Sequence, residues 1–120
     1  MRTKILYPDL SYKIVGICFS VHNELGRFCR EKQYGNSIET KLKEKGIKYA
    51  REFPISESGN VVDFLVEDKI ILELKVIRAI SKEDYHQVQR YLQETSMELG
   101  LLVNFRNKYL TPKRILRISK

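Results

Sequence analysis

The sequence predicts an α/β chain of the α+β kind, with elements in the order α-α-β-β-β-α-β-β, and three observations carry that reading. Apolar residues recur at helical spacing as far as Lys45. Short β-branched runs broken by turn residues follow from Tyr49 to Val76. A further helical stretch then separates those runs from the continuous apolar segment Leu99 to Phe105, as a strand–helix–strand unit requires. At 120 residues the chain is expected to form one domain over 1–120, burying about two-thirds of its unfolded surface without staples.

Taken in order, Ser11 reads as a helix cap, and Ile14, Ile17, Cys18, Val21 and Leu25 form a stripe that Gly26 ends. Val15 and Phe19 widen that stripe, so the first helix is expected to pack on two sides. His22 lies near its end and reads as a core or surface residue before a ligand. The second helix is expected from Phe28 or Cys29 to Lys45, with Gly46 as a left-handed cap and Tyr34, Ile38 and Leu42 facing the core. Glu31 falls one turn before Tyr34 on the same stripe, which aims it at the protein. Pro54 marks Tyr49 to Ile55 as an edge strand or strand end. Ser81-Lys82-Glu83-Asp84 has the capping-box form and opens a helix to about Glu94, with Gln87 and Tyr91 as i, i+4 neighbours. Arg114 to Ser119 reads as a short basic strand.

The chain is organised around Val61 to Val76, two apolar runs about a polar break. A three-residue turn at Glu67, Asp68 and Lys69 sets Val66 opposite Ile70 and Asp63 opposite Glu73. Side chains alternate along strands, so one face then carries Val62, Phe64, Val66, Ile70, Leu72 and Leu74, and the other carries Asp63, Glu73 and Lys75 among Val61, Leu65 and Ile71. A two-residue turn would mix the faces by placing Asp63 against Leu74. Charges on strands this apolar need partners or a metal. Two readings meet that need: a half-exposed Glu–Lys pair, or two carboxylates whose repulsion is relieved by a hard cation, with a lysine beside them. D-x₉-E-x-K spacing also arises by chance, so the hairpin alone carries both.

Twenty-two basic against fifteen acidic residues give a net charge of +7, which favours a polyanionic partner. Arg106, Lys108, Lys113, Arg114, Arg117 and Lys120 crowd the last fifteen positions without an acid, as a phosphate-binding patch or a solvated tail does. Cys18 and Cys29 have neither zinc nor redox spacing, which fits a reducing, cytoplasmic setting. The longest apolar run, Ile14 to Val21, is far shorter than the roughly 20 residues of a membrane span. Lys4 and Lys13 precede it, yet no small-residue cleavage site follows, so a signal peptide is not expected.

Several short pieces in one order resemble the GxxExxY family of the PD-(D/E)xK nuclease superfamily, over about Ser11 to Arg114. They are Val21-His22-Asn23-Glu24-Leu25-Gly26, Glu31-Lys32-Gln33-Tyr34, Asp63 to Lys69, Glu73-Leu74-Lys75, Gln87 with Tyr91-Leu92, and Leu99 to Phe105. The resemblance implies a restriction-endonuclease-like core, a central mixed sheet in an α-β-β-β-α-β arrangement. It implies Asp63 and Glu73 as metal-binding carboxylates, Glu31 as a further acid at the metal, Lys75 as the catalytic lysine and Gln87 as the glutamine of the following helix. The implied cofactor is Mg²⁺ or Mn²⁺ and the implied activity is phosphodiester hydrolysis of nucleic acid, with DNA the expected substrate. The alternative is a catalytically silent module of the same fold that binds nucleic acid or a protein partner, since fold does not settle activity. A membrane is not among the expected partners; a second copy or another protein is. Two departures stand out: Phe28 occupies the glycine position three residues before Glu31, and Val62 replaces the proline before Asp63. The first alters the backbone that places Glu31; the second leaves the chemistry with Asp63.

Overall fold

In the computed structural model, which describes residues 5–118, the helical spacing of the first segment resolves into α1 (Pro8–Leu25) and α2 (Glu31–Glu44). Strands β1 (Tyr49–Ile55), β2 (Asn60–Val66) and β3 (Ile70–Lys75) follow, then α3 (Lys82–Thr95), β4 (Leu99–Asn104) and β5 (Lys113–Leu116). The expected element order holds, with one added 3₁₀ turn at Ser56–Ser58. The sheet runs β1-β2-β3-β4-β5, antiparallel except for β3 and β4, which are parallel and joined by the crossover through α3. Pro54 lies on the β1 edge, where a missing ladder donor is tolerated.

Helix ends show where local rules decide and where they yield. α1 starts at Pro8, ahead of the expected cap, because a proline in the first turn gives up an N–H that has no helical partner. Ser11 therefore lies inside the helix, where its buried hydroxyl donates to the Pro8 carbonyl and accepts from Arg114 at 2.8 Å. α2 starts at Glu31 rather than at Phe28 or Cys29, with the Gln33 side chain accepting the Arg30 N–H at 2.9 Å. Gly46 takes φ 67°, and the N–H groups of Gly46 and Ile47 close on the carbonyls of Lys43 and Leu42, both at 3.0 Å. At α3 the expected capping box forms: Ser81 Oγ accepts the Asp84 N–H, and Asp84 Oδ2 accepts the Ser81 N–H.

Helices cover both sheet faces. α1 and α2 bury Ile14, Val21, Tyr34, Ile38 and Leu42 against Phe64, Val66, Ile70, Leu72, Leu74, Leu101 and Val103. α3 packs Val88, Tyr91 and Leu92 against Leu65, Ile71, Leu102 and Ile115. A Cβ on Gly100 would lie 2.7 Å from Val88 Cγ1, so the bare backbone of β4 is what lets α3 settle this close. Complete burial of a residue such as Phe64 contributes about 1.5–3 kcal/mol.

Val62 packs with the α3 cluster and not beside Phe64. Alternation breaks between them at Asp63, beside Glu52 of β1, which adopts φ 50° between the pairs Arg51–Phe64 and Phe53–Val62. Phe19 is 41% exposed, so α1 buries one side while that part of its wide stripe meets solvent. β5 begins at Lys113 and ends at Leu116; Ser119 lies outside the described residues, as do Lys4 and Lys120. Its basic cluster is not one patch. Arg114 reaches across to Ser11 and the Leu6 carbonyl, fastening α1 to the sheet. Cys18 is buried with its thiol pushed up to about 12 by desolvation, the state of an inert core cysteine. Among the described residues no helix is long and apolar enough to cross a membrane.

Candidate active site

The site begins where the β2–β3 ladder stops. Backbone pairing runs from Val66–Ile70 through Leu65–Ile71 to Phe64–Leu72, and Glu67, Asp68 and Lys69 make the expected three-residue turn, with Glu67 and Asp68 both at positive φ. Beyond Phe64 the carboxylates take over the ladder. Glu73 Oε2 accepts the Asp63 N–H at 2.7 Å, and Asp63 Oδ2 accepts the Leu74 N–H at 2.7 Å. Each acid thus satisfies the opposite strand's backbone, and the strands fork around the pair.

The two carboxyls also lie within hydrogen-bonding reach of one another, so each feels the other directly as well as through the opposite strand. Burial raises the Glu73 carboxyl to about 8, with the Asp63 charge as the next cause. Asp63 is also raised by burial, against the opposing pull of the Leu74 N–H, Glu73, Lys75 and Arg51. Both carboxyls are thus held above their ordinary range, chiefly by burial.

Lys75 is two residues further along β3, on the same face as Glu73. Its ammonium donates to Gln87 Oε1 at 2.9 Å and stands 3.8 Å from Asp84 Oδ1. α3 therefore orients the lysine from two successive turns, and Gly100 sets the approach of that helix. Asp84 is the site residue that sequence reasoning missed: its capping role was legible, its reach to Lys75 was not. Lys75 contributes to holding the Asp84 carboxyl below its usual range, after the Ser81 hydrogen bonds. Tyr91, one turn beyond Gln87, has its hydroxyl raised by burial, with the Glu73 charge as the next cause.

On the opposite side of the fork, Asp63 borders a cleft of about 460 Å³ shared with Glu31, Lys32, Gly35, Arg51 and Glu52. Glu31 was expected to point into the protein; as the first residue of α2 it is instead exposed on the cleft wall. Its carboxyl is raised by desolvation and then by the Asp63 charge, with Lys75 opposing, so the three share one field. Arg51 is held by Glu39 at 3.0 Å and by Asn36 at 2.7 Å. His22 lies elsewhere: its Nε2 meets the Asn107 carbonyl at 2.8 Å and its ring tilts against Phe105, a structural task.

Among the described residues no group of three or more His, Cys, Asp or Glu is arranged to hold a metal ion. The donor set at the fork is the pair Asp63 and Glu73. Two adjacent carboxylates, one of them bordering the cleft, suit a Mg²⁺-type cation, which is bound through one or two carboxylates and keeps several waters.

Residues 8–118 match the PD-(D/E)XK nuclease superfamily, and the chain belongs to it. Its fold is similar to the crystal structure of SSO0001, at a TM-score of 0.55 and 18% identity, over 95% of this chain and 59% of that one. It is also similar to an alkaline exonuclease (LHK-Exo) from Laribacter hongkongensis, at a TM-score of 0.50 and 16% identity, over 96% of this chain and 73% of that one. This chain thus spans little more than half the length of SSO0001. No curated protein matches it in sequence.

Proposed function

We propose that the protein is a metal-dependent nuclease that hydrolyses phosphodiester bonds of nucleic acid, DNA being the expected substrate, with Mg²⁺ or Mn²⁺ as cofactor. The observation that carries this reading is the fork: two carboxylates exchange backbone N–H groups across β2 and β3, with Lys75 beside them on a helix-held tether. Asp63 and Glu73 would hold the cation between their carboxylates. When bound, the cation supplies charge neutralisation at the phosphate and a lowered pKa for the attacking water.

The chain's own groups do the rest. Lys75 directs its remaining donors toward the scissile phosphate, orienting the water and offsetting charge as the transition state forms. Gln87 fixes the ammonium through its Oε1 and keeps its amide N–H groups for a water or phosphate oxygen. Asp84 steadies the same ammonium without belonging to the carboxylate pair. Glu31, sharing the field of Asp63 from the cleft wall, acts on water or substrate entering beside the pair and completes the proposed acidic set. The likeness to an alkaline exonuclease supports the fold.

The test is incubation of labelled single- and double-stranded DNA and RNA with and without Mn²⁺, with Lys75→Ala as control. The proposal expects cation-dependent cleavage that the variant loses. A silent binding module would cut nothing, and one without a cation site would show no metal-specific rise in melting temperature.

A further inference from the structure

Phe28 stands where the GxxExxY pattern places glycine, and the structure leaves its ring 75% exposed. The ring is not merely stranded in solvent. The Arg27 guanidinium lies 4.9 Å from its centroid and that of Arg106 lies 5.3 Å from it. Arg27 Nε also donates to the Arg106 carbonyl at 2.8 Å, which fastens the α1–α2 loop to the segment after β4. The loop is further set from below, where the Tyr34 hydroxyl donates to the Gly26 carbonyl at 2.6 Å and accepts the Cys29 N–H at 3.2 Å. An aromatic plane and two cationic planes are thus presented together on a fixed backbone.

Both arms of this cluster are chain neighbours of the candidate active site. Phe28 precedes Glu31 by three residues, a span of at most about 11 Å between Cα atoms. Arg106 follows Phe105, whose N–H bonds the Lys75 carbonyl at 2.9 Å. Arg106 is held in turn by Asn104 Oδ1, which accepts both its N–H and that of Ile77 just beyond β3. An exposed aromatic ring costs contact with water and an exposed Arg pair costs mutual repulsion; one ligand class relieves both. A nucleobase offers a flat face to the ring or the guanidinium planes, and its phosphate offers charge to the arginines. Bases within a duplex are stacked on one another and show only their edges, so the occupant that fits is an unpaired one.

We propose that Phe28, Arg27 and Arg106 form a stacking platform for an unpaired base of the nucleic acid whose phosphate lies at the Asp63–Glu73 fork. This makes single-stranded or frayed nucleic acid the favoured substrate, and it rests on the nuclease reading. Phe28 supplies the stacking surface, and the arginines supply its charge and orientation.

Binding in chelator separates this claim from the cleavage claim, because no hydrolysis is involved. Anisotropy of a labelled oligothymidylate, a strand of the same length made wholly of abasic sugar-phosphate, and a blunt duplex is compared for the parent, Phe28→Ala and Phe28→Trp. Phe28→Ala is expected to weaken oligothymidylate binding on the order of tenfold, while leaving the abasic strand and the duplex within about twofold. Phe28→Trp is expected to bind oligothymidylate at least as tightly as the parent. The idea is overturned if Phe28→Ala binds oligothymidylate like the parent, if it loses all three ligands equally, or if the parent binds the abasic strand as tightly as the oligothymidylate. Absence of cation-dependent cleavage by the parent would instead remove the nuclease reading, whatever the binding data show.

Discussion

The two ends of the β2–β3 hairpin are made by the same pair of strands and behave in opposite ways. At the turn end, Phe64, Leu65 and Val66 pair by backbone with Leu72, Ile71 and Ile70, and all six side chains are buried and apolar. At the open end, Asp63 and Glu73 replace the ladder with their own oxygens and bring two acids into a poorly solvated place. The first end contributes stability through burial. The second holds charge that a fold without a ligand has no reason to hold, because buried carboxylates favour protonation over staying ionised side by side. The difference teaches that the sheet is a rigid clamp at one end so that the other end can be kept apart.

Truncation at the clamped end should have the largest effect. Phe64 is fully buried, with the Tyr49 ring 6.0 Å away and the Arg51 guanidinium 5.6 Å from its centroid. Phe64→Ala is expected to cost about 3–5 kcal/mol in urea unfolding. A loss below about 1 kcal/mol would mean that the packing at this end is not what holds the hairpin.

Lys75→Ala should separate the two ends by chemistry. Cleavage is expected to fall on the order of 10²–10³-fold in kcat, as for loss of one preorganised donor at developing charge. The folded state should be little changed, because Gln87 and Asp84 are only partly buried and keep access to water. A variant that unfolds but still cleaves at the parental rate when folded would assign Lys75 to structure.

A smaller effect is expected from pH. Both fork carboxyls titrate higher in the folded chain than their ordinary values, so between those values and about 8 the folded state holds more protons than the unfolded state. The Glu73 contribution is complete below the ordinary carboxyl range and is lost as pH rises through about 8, and the Asp63 contribution runs in the same direction. The metal-free protein should thus lose stability from about pH 5 to 8 in denaturant titrations, and excess Mn²⁺ should flatten that slope. Asp84, held low, acts in the opposite sense but at more acid pH, outside this window. Metal-free stability that rises over the window would contradict the assignment of the raised pair.

Much of the clamped end could be read from the chain. Alternation of apolar residues about Glu67-Asp68-Lys69 settles the register, and with it the juxtaposition of Asp63 and Glu73, because a one-residue slip would expose half the core. The Gly46 cap and the Ser81–Asp84 box are likewise local chemistry. The open end was less legible for one reason: strand alternation assumes that every backbone group stays in the ladder. Asp63 breaks that assumption, so Val62 turns to the α3 side. Glu31 was misdirected by a helical stripe extended one turn too far, to the first residue of α2, where no preceding turn exists to bury it. Asp84 hid behind its own cap, since a residue with one satisfied role gives no signal of a second. The basic C-terminal run was misleading because sequence proximity does not tell a solvent-facing cation from Arg114, which ties the sheet to α1.

The smallest change in shape tests the central claim most directly. Asp63→Asn removes one charge from the fork while nearly keeping its outline, and melting can be followed first in chelator and then in excess Mn²⁺. If the acids are arranged for a cation, the variant in chelator melts at the parental temperature or above it, because repulsion has been relieved, and it shows neither Mn²⁺ stabilisation nor cleavage. If the fork is a structural ion pair, the variant loses several kcal/mol in chelator, on the order expected when a buried charge is left unpaired, and its response to Mn²⁺ is the same as the parent's. The first result is the one predicted here; the second would contradict it.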